Sequence, residues 1–310
     1  MQINGIHHVT AIAGPARRNL DFYSRVLGLR LVKKTVNFDD PTTWHLYFGD
    51  ADGAPGTILT FFPWEHVAPG RLGVGETQET AFRIPATALD YWTQRLAAHG
   101  VVHEAPERRF GEAVLAFRGP DGMRLALVAV PGSDSEPAWD NGEVPVASAI
   151  RGLHGVTLLL AETGPTAAIL SEVFGFAEGG RENGIVRMRA AGTVHGGIVD
   201  LREGRGSLPA RLGGGSVHHV AFRAHDDAEQ ARMVKTLSDR FGLRTTGQRD
   251  RNYFRSVYFR EPGGVLFEIA TDAPGFAADE PAEHLGHELK LPPQYEMRRG
   301  EIEALLPTLA

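Results

Sequence analysis

Two strings of the sequence set a pair of histidines into an apolar run: Ile6-His7-His8-Val9-Thr10 and Val217-His218-His219-Val220-Ala221. In each, the second histidine is followed by an apolar residue and then Thr or Ala, so His8 and His219 hold the same place and the same facing in their strands. A third outlier, Glu268, interrupts Val265-Leu266-Phe267-Glu268-Ile269-Ala270. An ionised carboxylate in such a strand is costly unless it is paired or bound to a metal. Two imidazoles and one carboxylate form the set that holds a non-haem Fe(II), with Mn(II) also accommodated, while one face of the octahedron stays open. That face can take a two-oxygen substrate together with O2. The chain has no cysteine, so thiolate zinc sites, iron–sulfur clusters and disulfides are excluded, and any metal must use His and carboxylate.

The strands that carry these residues belong to a unit recurring four times: a strand, an amphipathic helix closed by Gly, then strands ending in a Gly-containing turn and a last apolar strand. The first copy starts at Ile6, runs a helix through Leu20, Tyr23, Val26 and Leu27 to Gly28, and closes with Thr57 to Phe62. The second starts near Thr80, has a helix through Ala88, Trp92 and Leu96 to Gly100, and ends at Leu127. The third starts at Leu153, with its helix reaching Val173 and Phe174 before Gly175, and ends at Leu201. The fourth starts at Val217, has a helix through Ala231, Val234, Leu237 and Phe241 to Gly242, and closes with Val265 to Ile269. Apolar spacings of three and four give each helix one buried face, and Gly supplies the left-handed residue past its end.

Comparing equivalent places across the copies separates fold from chemistry. Thr60 stands where the fourth copy has Glu268, and Gly155 stands where the first has His8. His7, His218 and His154 take the alternate facing, and other histidines, His45 among them, read as ordinary polar residues. Metal–ligand distances near 2 Å would force the first strands of units one and four side by side around one cup. Units two and three, without acidic or His outliers at these places, are expected to form a mainly structural partner half.

At 310 residues the chain is long enough for about two domains. Pro131 to Pro137 reads as a linker, so residues 1–140 hold the first pair of units (about 1–66 and 75–132) and 141–272 the second (about 150–204 and 215–272). Residues 273–310 form a tail with no repeat partner and a last short helix near Ile302 to Leu306. The formal charge of −6, from 32 basic and 38 acidic residues, offers no footprint for nucleic acid or an anionic membrane. No apolar run reaches the ~18 residues of a membrane span, and the opening lacks a signal-peptide pattern. A cytoplasmic protein of small-molecule chemistry is expected, and exposed sheet edges suggest a homo-oligomer.

The architecture, α+β with four βαβββ modules paired into two cup-shaped halves, resembles the vicinal oxygen chelate superfamily of glyoxalases, bleomycin resistance proteins and extradiol dioxygenases. The nearer resemblance is to its ring-cleaving dioxygenases of the hydroquinone type. It rests on Ile6 to Thr10, Lys34 to Pro41, His45 to Asp50, Val217 to Phe222, Glu268 in its strand, and Leu289 to Pro293 with Glu296 in the tail. The resemblance implies that His8, His219 and Glu268 hold Fe(II), that an aromatic phenol and O2 are the reactants, and that Thr10, His7, His218, Arg251 and Tyr258 contact the ligands or the substrate. Thr10 shares the facing of His8, the Tyr258 hydroxyl can bond a phenol, and Arg251 favours a phenolate. Two other readings stand beside it: a glyoxalase-like metal-dependent lyase or isomerase, which needs a fourth ligand that Thr60 supplies poorly, and a non-catalytic binder of an aromatic or drug-like molecule.

Overall fold

A computed structural model describes residues 5–309. Module one runs β1 (Ile6–Ala13), α1 (Ala16–Asp21), β2 (Arg30–Asn37), β3 (Asp40–Gly49) and β4 (Ile58–Pro63). Module two runs β5 (Glu76–Pro85), α2 (Leu89–Ala98), β6 (Glu107–Arg109), β7 (Glu112–Arg118) and β8 (Arg124–Val130). Module three holds β9 (Leu153–Leu160), α3 (Gly164–Glu172), β10 (Phe176–Glu182), β11 (Ile185–Ala190) and β12 (Ile198–Glu203). Module four holds β13 (Val217–Ala224), α4 (Asp227–Phe241), β14 (Arg249–Asp250), β15 (Arg255–Arg260) and β16 (Leu266–Thr271), and the tail ends in α5 (Arg299–Leu305).

The sixteen strands make two curled eight-stranded sheets. One has the order β14-β15-β16-β13-β1-β4-β3-β2 and the other β10-β11-β12-β9-β5-β8-β7-β6. Modules one and four therefore share a sheet, as do modules two and three. The stretches 1–140 and 141–272 are an order along the chain, which space regroups because the first strands of modules pair antiparallel: β1 with β13, and β5 with β9. Alternation within β1 sends Val9 and Ala11 into the core while His8 and Thr10 face the concave side. The aromatic cluster behind β13 joins the halves, with Phe174, just past α3, stacked on Phe222 at 4.3 Å between centroids.

The regrouping is locked by the segments that lead into β5 and β13. Pro69-Gly70-Arg71-Leu72-Gly73 and Pro209-Ala210-Arg211-Leu212-Gly213 are near repeats, and they cross one another. Arg71 and Arg211 exchange backbone N–H···O bonds of 2.8 and 2.9 Å, Val74 N–H donates to Leu208 O, and Gly214 N–H donates to Ala68 O. A Cβ on Gly73 would lie 2.3 Å from Leu208 O, and one on Gly213 would lie 2.4 Å from Ala68 O. Only glycine allows so close a crossing of backbones.

Two expectations are refined. The first helix leaves α geometry at Asp21 and continues through Phe22 to Val26 as a wider turn, closed by Leu27 N–H on Phe22 O, before Gly28 at φ 74°. That extra residue per turn lets Phe22 and Tyr23 both be buried. The second copy's first strand begins at Glu76 rather than near Thr80.

Candidate metal centre

The concave face of the sheet formed by modules one and four gathers His8 from β1, His219 from β13 and Glu268 from β16, all buried. Register explains why: β1 lies antiparallel to β13 with Thr10 opposite His219, and β13 lies parallel to β16 with Ala221 opposite Glu268. Thr10 is also opposite Thr60, so Thr60 is the place-equivalent of Glu268. The three chemical ends converge, with His219 Nε2 at 2.9 Å and His8 Nε2 at 3.4 Å from Glu268 Oε2, and the two Nε2 atoms 3.4 Å apart. Cis donors at 90° on an ion with bonds of about 2.1 Å stand roughly 3 Å apart, so the spacing fits a facial set. Among the described residues this is the one His/Asp/Glu group close enough to hold a metal ion. Glu268 Oε2 is buried and accepts no hydrogen bond, as an atom reserved for a cation would be.

Each imidazole is held from behind. His8 Nδ1 is 2.9 Å from His7 Nδ1, and His219 Nδ1 is 2.8 Å from His218 Nδ1. A lone pair on each converging Nε2 requires the N–H at Nδ1, so His8 donates to His7 and His219 to His218. The Glu268 Oε1 atom accepts from Ser256 Oγ at 2.5 Å. Burial pushes the His219 ring down and leaves it neutral, and burial together with His219 brings His218 to about 4.

A cavity of about 40 Å³ opens beside the triad. Tyr258 lies on one wall with its ring 5.6 Å from the His219 ring, and Arg251 sits 5.6 Å above Tyr258 while bonding Asp39 at 3.1 Å. Burial and then Glu268 push the Tyr258 phenol up, so it stays protonated. Of the five residues singled out beside the triad, Arg251 and Tyr258 line the cavity. Thr10 lies beneath it, and His7 and His218 reach it only through their neighbours.

The opposite wall was not legible in the sequence. His45 and Tyr47 line the cavity, although His45 read as an ordinary polar residue. A single tautomer satisfies the hydrogen bonds there. Thr60 Oγ1 donates to Thr10 at 3.0 Å, so His45 Nε2–H donates to Thr60 at 2.8 Å, and His45 Nδ1 accepts from Tyr47 O–H at 2.9 Å. Burial first, then His8 and His219, keep the His45 ring neutral. The signal lay in register: Tyr47 pairs with Thr60, the counterpart of Glu268, so β3 residues of that parity face the cup. Phe254, packed 5.0 Å from the His8 ring, was likewise missed because it stands in a turn outside any repeat pattern.

Comparison with known proteins bears on the family and the fold. Residues 5–127 match the family model described as Glyoxalase/Bleomycin resistance protein/Dioxygenase superfamily. The chain is 46% identical over 98% of its length to the Bacillus subtilis (strain 168) protein named "Putative ring-cleaving dioxygenase MhqO", covering 96% of that protein. It is 32% identical over 97% of its length to "Chlorohydroquinone/hydroquinone 1,2-dioxygenase" of Sphingobium indicum, covering 95% of it. A crystal structure titled as a putative dioxygenase from Bacillus subtilis superposes with a TM-score of 0.94 at 44% identity, covering 100% of this chain and 98% of that one. Glyoxalase I from Zea mays, at 14% identity, shares the fold with a TM-score of 0.67 over 92% of this chain and 97% of its own. With full-length identity at this level and the same two curled sheets, the chain belongs to the glyoxalase/bleomycin resistance protein/dioxygenase superfamily, in the company of its ring-cleaving dioxygenases.

Proposed function

We propose that the protein is a non-haem Fe(II)-dependent, extradiol-type ring-cleaving dioxygenase acting on a hydroquinone or related phenol. The observation that carries this reading is the convergence of His8 Nε2, His219 Nε2 and Glu268 Oε2 on one side of a cavity walled by Tyr258, Arg251 and Tyr47. An Fe(II) ion held by these three atoms would lower the pKa of a substrate hydroxyl and bring substrate and O2 to one centre. Arg251 provides a fixed positive charge toward a phenolate, and the protonated Tyr258 hydroxyl can donate to a substrate oxygen. The neutral His45 and its hydrogen-bonded neighbours Thr60 and Tyr47 form a wall that holds a proton without carrying charge. Thr60, with its hydroxyl already engaged by Thr10 and His45, supports a three-ligand site over the four-ligand lyase reading.

Anaerobic loading with Fe(II), followed by oxygen-uptake assays on hydroquinones and catechols, tests the proposal. Wild type is expected to consume O2 and release a ring-opened product. His8→Ala, His219→Ala and Glu268→Ala are each expected to bind metal at least about 100-fold more weakly, beyond the range for outer-shell changes, and to lose uptake. Metal-loaded wild type that consumes no O2 with any phenol, yet isomerises a thiol adduct of an oxoaldehyde, would overturn it in favour of the lyase reading.

A further inference from the structure

The second cup repeats the register of the first with different chemistry. In the first, Thr10 faces His219 and Thr60; in the second, Thr157 faces Glu79 and Asp200. Likewise Ala221 faces His8 and Glu268, whereas Ala81 faces Gly155 and Ala126. Glu79 therefore stands in the place of His219 and Asp200 in that of Thr60. This corrects the expectation that modules two and three lack acidic residues there: the second copy's strand starts early enough to include Glu79. No side chain can return at Gly155, where a Cβ would lie 2.1 Å from Ile198 O. The two carboxylates are already neutralised, Glu79 by Arg109 at 2.5 Å and Asp200 by two bonds of 2.8 Å from Arg187. That floor suits no metal.

Above it lies a cavity of about 360 Å³, inside the range of about 300–1,000 Å³ usual for ligand sites. Its lining includes Arg108, Arg118, Arg124 and Arg202, which have no ion-pair partner among the described residues; the matching carboxylate without one is Glu104. Arg118 and Arg124 are directly opposite each other across β7 and β8, a like-charge pair that destabilises a sheet. Arg202 extends from β12 on the other wall, at the place Phe62 holds in the first cup. Guanidinium groups present planar, bidentate donors matched to oxyanions.

We infer that the second cup is a binding site for a small dianion, held by Arg118 and Arg124 on one wall and Arg202 on the other. A dicarboxylate and a phosphoryl group share this chemistry. Calorimetric titration of the full chain in chloride buffer at constant ionic strength, with succinate and with inorganic phosphate, separates the sources. One of the two is expected to bind wild type and to raise its melting temperature, and Arg124→Gln and Arg202→Gln are each expected to weaken that binding by about tenfold or more. Binding of succinate assigns a dicarboxylate, and binding of phosphate a phosphoryl group. Binding of neither up to about 10 mM, weaker than the millimolar scale of marginal ligands, or equal binding by the variants, overturns the proposal. Without dianion, Arg124→Gln is expected to melt at or above the wild-type temperature because it removes a like-charge neighbour. A lower midpoint would mean that the two arginines already have a partner in the protein, which also overturns it.

Discussion

The smallest unit that matters is the atom behind each converging donor. Ser256 was not among the candidates, yet its hydroxyl holds Glu268 Oε1 and so leaves Oε2 to point at the two imidazoles. Ser256→Ala should therefore leave the fold intact and weaken Mn(II) or Fe(II) binding by about 10- to 100-fold, the usual effect of losing a group that orients a ligand. Anaerobic titration calorimetry measures this, and unchanged metal affinity would show that Glu268 is oriented by its strand alone. His8, His219 and Glu268 were legible because each breaks a repeated apolar pattern at a comparable place. His45 and Ser256 were not, since a polar residue in a half-polar strand breaks nothing, and only the pairing of strands tells which face it takes.

At the scale of elements, the repeat period and the closing glycines were readable, because a helix face and a left-handed residue are local demands. The crossing of residues 67–75 with 205–215 was not, although its near-repeated strings lie in plain view. Gly213→Ala is expected to cost about 1–3 kcal/mol, the usual range for overpacking, because the Cβ meets a backbone carbonyl with no room to yield. Urea unfolding of the variant measures it, and a loss below about 0.5 kcal/mol, within the range of neutral surface changes, would show that the crossing relaxes freely. The tail is a comparable case. Lys33, fully buried in β2, is met by Asp279 at 2.6 Å and by Glu280, and Tyr253 O–H also donates to Asp279. A lysine in a strand gives no hint that its partners lie some 250 positions away, yet its burial uncompensated would be prohibitive.

At the scale of the molecule, the two sheets are built alike and held differently. The first converges on Glu268, while the second is knit by a charged network in which Arg187 bonds both Asp200 and Glu112, and Glu112 also bonds His154 at 3.1 Å. Burial pushes Glu112 up, but His154 and Arg187 outweigh it and hold the carboxyl at about 2, against 4.5 when unperturbed. A depressed carboxyl contributes stability that is present above its unfolded value and is lost as pH falls through the folded one. Urea unfolding of wild type should thus lose stability between pH 4.5 and about 2, and Glu112→Gln should lose less over that window while being weaker at pH 7. Parallel pH profiles of the two proteins would refute the network's role.

The sequence by itself determined the four modules, their helices and caps, and the identity of three residues out of place in apolar strands. These follow from periodicities of two and 3.6 residues and from the cost of a buried charge, which act over a few neighbours. The tertiary structure alone decided how the crossing segments lock modules one and four into one sheet, which wall His45 and Tyr47 occupy, and that the second cup is lined with arginines facing one another. Those outcomes depend on register between strands up to about 210 positions apart, and a pairing of that kind is set by how two whole sheets pack, so no local pattern encodes it.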